Sequence, residues 1–267
     1  MFKALKAKVA RLRNEVTLVE GLKAPVQELP GGQQQWIEES TARLVEQFGS
    51  EPLHAPIVLP STFIPAGYDG SEAAARALFI QICDRMDAAT ERLELSFDLD
   101  DLQAEIDRAR GRPKAVLQPG VTRMRFGIWA RGDGRNFISL SAKLLGEPAV
   151  LVAILAHEIG HELLIGAGRI SSDQPDQESL TDLLAVFHGF GIFLANASFG
   201  PVPGGTRRQR VGLLYLRERA LSDALAYYAF LREESTVPPW EEELDWPVRI
   251  PMVGQLSKLK EAAQAGK

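Results

Sequence analysis

A single cysteine, Cys83, in 267 residues excludes a disulfide framework and a cysteine-based zinc finger. In the stretch LFIQICDRM its thiol falls on the apolar side of a helical pattern, so it reads as a small buried hydrophobe rather than a nucleophile. Excess charge is also lacking. A net charge of −5 with 24% charged and 45% apolar residues is ordinary globular composition, and it leaves no basic surplus that would argue for nucleic acid. No internal repeat and no low-complexity run interrupts the chain. Long hydrophobic runs are scarce. The best candidate for crossing a membrane, residues 183–199 (LLAVFHGFGIFLANASF), is shorter than the roughly 20 residues a span needs, carries His188 and follows Asp182 directly. The N-terminus, MFKALKAKVARLRNE, has no unbroken apolar core and no small-residue cleavage site, so residues 1–24 read as a basic amphipathic helix or tail. The expectation is a cytoplasmic protein without a transmembrane segment, and no signal speaks to its oligomeric state.

What is present is a succession of helical patterns around a small group of β-prone runs. After the linker-like PVQELPGG, residues 33–48 place Trp36, Ile37, Leu44, Val45 and Phe48 at helical spacing. Ser71 is placed to cap a helix running to about Thr90, with Glu72 in its first turn. RLELSF, 92–97, alternates like a strand, and a short charged helix is expected over 99–110. Extended pieces follow around 115–118 and 122–130, and the Gly132-Asp133-Gly134 turn joins the latter to NFISLS, 136–141, as a hairpin. Pro148 can open a helix through HEIGH to about Ile165, ended by Gly166 and Gly168. Another helix begins near Asp176. After the loop FGPVPGGT, a helical stretch is expected over about 207–233. The tail from Pro238 carries two tryptophans and few other signals. The pattern predicts an α+β fold, mainly helical, with a small mixed or antiparallel sheet. It predicts one domain over 25–235, with a helical part (25–110), then the sheet and site helices (111–235), and a C-terminal tail, 236–267.

Only four histidines occur in the chain, and two of them stand four residues apart. His157 and His161 end the apolar run LVAILA, and on a helix they point the same way, one turn apart. A chance HExxH in a chain of this composition is on the order of one in a hundred. A buried helix end needs partners for its imidazoles, and one metal ion serves both. Nitrogen donors suit zinc, and Glu158 on the flank is placed to act as general base on a metal-held water. Zinc then needs a third protein ligand. Glu178, seventeen residues past His161 on the next helix, can supply it, and Asp182, one turn further on the same face, can hold the second ring nitrogen of a ligating histidine.

HEIGH followed by ESLTD resembles the gluzincin zinc metallopeptidases, the thermolysin-like clan with HExxH…ExxxD, and in its short spacer the minigluzincin members. The likeness covers roughly residues 151–190. It implies His157, His161 and Glu178 as ligands of one zinc ion, Glu158 as the catalytic base and Asp182 as the partner of His157. NFISLS is similar to the family's sheet, whose edge strand holds an extended peptide. The usual Asn before the ligand glutamate is replaced by Gln177, and residues 1–110 match no peptidase domain.

The resemblance implies hydrolysis of a peptide or protein substrate. A second hydrogen-bond donor for the developing oxyanion is then wanted, and His188, Tyr215, Arg217, Tyr227 and Tyr228 are candidates. His188 does not plainly share the Glu178 face, and the tyrosines, in LLYLRERALSDALAYYAF, have the spacing of core residues. Glu162 reads as a surface or capping charge. Two other readings compete: a catalytically silent zinc-binding scaffold or sensor that docks a protein partner, and a deformylase-type hydrolase. The latter needs an upstream cysteine ligand in a short motif, which Cys83, in a distant helix, does not provide.

Overall fold

The computed structural model describes residues 29–100, 126–132, 134–198 and 214–266. The expected basic helix at 1–24, most of the charged helix at 99–110, the extended piece at 115–118 and the loop FGPVPGGT with the residues up to 213 lie outside them.

The fold is α+β and mainly helical, with one small mixed sheet. Helix α1 (Gln33–Phe48) buries Trp36, Ile37, Ser40, Thr41 and Leu44, a stripe repeating every three to four residues. Two single-turn helices follow, α2 (Glu51–His54) and α3 (Pro60–Phe63). Helix α4 (Glu72–Met86) opens at Ser71, whose hydroxyl accepts from the Ala74 amide. It stops at Met86, before the expected Thr90, because Asp87 turns left-handed (φ 55°) and the Ala88 amide closes back onto the Cys83 carbonyl.

Strand β1 (Leu93–Ser96) runs parallel to β3 (Asn136–Leu140), and β2 (Gly127–Ala130) runs antiparallel to β3 on its other side. The β2–β3 register, Gly127 opposite Leu140 and Ala130 opposite Phe137, is the hairpin expected from the Gly-Asp-Gly turn. The order β1-β3-β2 makes NFISL the central strand, so β2 rather than β3 lies against helix α5 (Pro148–His161).

Helix α5 is buried on every side from Leu151 to His161. A wide turn, Glu162–Gly166, ends it, and Gly168 (φ 71°) releases the chain into the loop before helix α6 (Gln177–Ala185). A second wide turn, Val186–Phe190, joins α6 to α7 (Gly191–Ala197). Gly189 makes that kink with φ 92°; its carbonyl accepts the Val58 amide, and a side chain there would be strained by that φ and press on the Arg85 guanidinium.

Helix α8 (Glu218–Leu231) begins later than expected, leaving Tyr215 in an irregular lead-in. The weakly signalled tail forms α9 (Trp246–Ala265), packed on α8 through Val248, Met252 and Leu256. Among the described residues, two helical runs, Pro148–Gly166 and Gln177–Ala197, are long and apolar enough to cross a membrane. Of their most apolar windows, 83% and 94% are buried inside the fold.

Candidate metal centre

Helices α5 and α6 lie side by side, and Gly160 makes that contact close: a Cβ there would meet the Thr181 methyl at 2.8 Å. His157 and His161 face α6 from consecutive turns. Glu178, in the first turn of α6, faces them. The three donor atoms form a nearly equilateral triangle. The two Nε2 atoms are 3.1 Å apart, and Glu178 Oε2 lies 3.2 Å from that of His157 and 3.3 Å from that of His161. All three residues are buried, at 5–8% exposure.

The surroundings fix what these atoms can do. Asp182, fully buried one turn along α6, has Oδ1 at 2.8 Å from His157 Nδ1. That contact places the proton of the neutral ring on Nδ1 and leaves a lone pair on Nε2. His161 Nδ1 faces the Thr181 hydroxyl oxygen at 3.5 Å, and that hydroxyl gives its own hydrogen to the Gln177 carbonyl at 2.7 Å. His161 Nε2 is thereby left as an acceptor too. Glu178 Oε2 is buried and makes no hydrogen bond of acceptable geometry. With both rings neutral, three acceptors converge with no donor among them, a costly arrangement that a cation, or a proton on His157, relieves. His157, His161 and Glu178 form a group that could hold a metal ion.

The electrostatics agree. Burial acts to raise the Glu178 carboxyl, but His161 and His157 outweigh it and hold this group far below the usual carboxylate range. Burial acts to lower His157, but the Asp182 charge and hydrogen bond, with the Glu178 and Glu158 carboxylates close by, outweigh it and raise the imidazole well above 6.5, so that in the metal-free protein a proton on Nε2 stands where a cation would.

Asp182 also works outward. Its Oδ2 accepts the backbone amides of Tyr215 and Leu216, both at 2.7 Å, which pins the lead-in to α8 over the cluster. The Tyr215 ring stacks on His157, 5.7 Å between centroids and 13° from parallel. On the other side the Trp129 indole lies 6.3 Å from the His161 ring, and its N–H donates to Glu162 at 3.0 Å. Glu158, on the flank of the histidine pair, is turned towards β2: a Cβ at Gly127 would stand 2.5 Å from its Oε1.

Other residues considered from sequence are placed elsewhere. His188 packs edge-on against Phe48 and Phe187, and burial, with the Arg85 charge, pushes its imidazole down to about 4. Tyr228 is in the core beside Arg232, Tyr227 stacks on Phe230, and Arg217 is an exposed residue at the start of α8. Cys83 is fully buried, and burial pushes its thiol up to about 12, the behaviour of an inert core residue.

Glu162 departs from the surface charge expected of it. It is buried and accepts from Trp129 and from Asn136 Nδ2 at 2.6 Å, because the end of α5 tucks beneath the sheet. Two further positioning contacts had no sequence signal. Thr181 backs His161. The Trp36 indole donates to Asp176 at 2.8 Å, tying α1 to the start of α6. Comparison with protein-family models, curated proteins and solved structures returned no match to this chain.

Proposed function

We propose that this chain is a zinc-dependent metallopeptidase of the gluzincin type, hydrolysing peptide bonds with Glu158 as general base. The observation that carries the reading is the buried triangle of His157 Nε2, His161 Nε2 and Glu178 Oε2, with edges of 3.1–3.3 Å. A tetrahedral ion with bonds of about 2.0–2.1 Å spaces its ligands by about 3.3 Å, so the donors stand close to where zinc requires them. Two imidazoles and one carboxylate leave the ion a net positive charge and a free fourth position, the donor set of catalytic rather than structural zinc.

When bound, zinc would supply a Lewis acid and a water whose pKa is lowered to about 7. The chain's own groups do the rest. Glu158, adjacent in sequence to a ligand and not one of the three donor atoms, would accept the proton of the attacking water and return it to the leaving amine. Asp182 keeps the His157 ring in the tautomer and orientation that ligation needs. Tyr215, stacked on His157, is the better placed of the proposed oxyanion donors, since His188 packs among phenylalanine rings.

The deciding experiment pairs zinc content with turnover of a broad peptide library. Glu158→Gln is expected to keep one zinc per chain and lose about 10²–10⁴-fold in turnover. Undiminished turnover in that variant would remove Glu158 from the chemistry.

One observation favours the silent scaffold as a second reading: the ligands and Glu158 are all at least nine-tenths buried, with aromatic rings over both imidazoles. A wild-type protein that carries zinc and cleaves nothing in the library would establish that alternative.

A further inference from the structure

Gly127 opens β2, where nothing in the backbone demands glycine: its φ is not in the left-handed region, and glycine inside a strand weakens it. The reason lies across space. A Cβ built at position 127 would stand 2.5 Å from Glu158 Oε1, 3.0 Å from Glu158 Cδ and 2.8 Å from Ile154 Cγ2. Ile154 and Glu158 are one turn apart on the face of α5 that meets the sheet.

Neither backbone can give way. β2 is paired to β3, with Gly127 opposite Leu140, and the Ser141 amide donates to the Phe126 carbonyl at 2.9 Å. Phe126 is itself buried, and α5 is enclosed on every side. Of the two side chains in the way, Ile154 presents a methyl on a short β-branched chain and Glu158 a carboxylate on a longer one, so the carboxylate is the end that shifts more readily. The hydrogen bonds that back the ligand histidines come from α6, through Asp182 and Thr181, and β2 reaches them only through the Trp129 ring against His161, so a methyl group at 127 meets Glu158 and Ile154 and not the ligands.

We propose that Gly127 is a positioning residue: its missing side chain leaves the space in which the Glu158 carboxylate lies against β2, and so sets where that carboxylate stands relative to the metal cluster. The inference rests on the metal-site reading above and adds to it a second-strand determinant outside the HExxH…ExxxD pattern. A residue of any size at 127 displaces the carboxylate while the three ligands remain in place.

The test loads the full-length protein with Co²⁺ and records the visible spectrum of the bound ion at one fixed pH. The variants are Gly127→Ala, Glu158→Ala and the double substitution. Gly127→Ala is expected to bind one Co²⁺ and to shift the spectrum most of the way towards that of Glu158→Ala. Adding Gly127→Ala to Glu158→Ala should then change nothing further. A wild-type spectrum in Gly127→Ala overturns the proposal, as does an equal shift with and without Glu158. Should Gly127→Ala fail to fold, the comparison is made between Ile154→Ala and Gly127→Ala/Ile154→Ala, where the second atom in the way has been removed. The same two criteria then apply. Failure of wild type to bind Co²⁺ would instead count against the metal reading itself, so the two failures are distinguishable.

Discussion

Asp182 does more than any other single residue to organise the proposed site. One oxygen orients His157 and the other holds two backbone amides of the segment carrying Tyr215. Outer partners of metal-bound histidines are typically worth 10–100-fold in metal affinity. Asp182→Asn is therefore expected to weaken zinc binding by roughly that factor, measured by competition with a chromophoric chelator, and to speed hydrogen exchange at the Tyr215 and Leu216 amides. The same pair predicts a pH signature. His157 is held above its unfolded value near 6.5, so the metal-free protein binds more protons folded than unfolded above that pH. The stability it contributes is fully present below about pH 6.5 and is lost as pH rises through the folded value. Thermal melts in chelator should fall from pH 6.5 upwards, and Asp182→Asn should flatten that slope. Zinc competes with the same proton, so the stabilisation it adds should grow over the same range. An unchanged slope in Asp182→Asn would show that the pair contributes nothing.

Much at the scale of elements is legible in the sequence because it is periodic. The stripe on α1, the Ser71 cap and the near-continuous apolar run of α5 each follow from local spacing. The hairpin turn follows from its glycines. HExxH and ExxxD are likewise local patterns, which is why the positions of the triangle and of Asp182 could be named before the fold. What was not legible depends on contacts between distant segments. Glu162 looks like a surface charge until the sheet covers it. Gly127 looks like any strand glycine until Glu158 lies on it. Helix α9 hides its buried repeat of Val248, Met252 and Leu256 behind Pro247 and Pro251. The Trp36–Asp176 hydrogen bond, which fastens α1 to the start of the ligand helix, joins residues 140 positions apart. Trp36→Phe leaves the Asp176 oxygen without that donor and shrinks a buried side chain. It should cost roughly 2–4 kcal/mol in denaturant unfolding.

At the scale of the whole molecule, nearly all buried apolar side chains among the described residues join one cluster from Trp36 to Leu256. The metal group lies between two of its central helices. A cation there would bind the folded state and not the unfolded one. At a free zinc concentration a thousand times the dissociation constant, this linkage adds about 4 kcal/mol, and its removal by chelator should lower the melting temperature by on the order of 10 °C. The measurement closest to the central claim, one ion held jointly by α5 and α6, is the zinc affinity of wild type against Glu178→Ala. Loss of a ligand must exceed the cost of losing an outer partner, so the variant should bind at least about a hundredfold more weakly while wild type takes up one ion per chain. Equal affinity in the two proteins would place Glu178 outside the metal's coordination sphere and contradict the account.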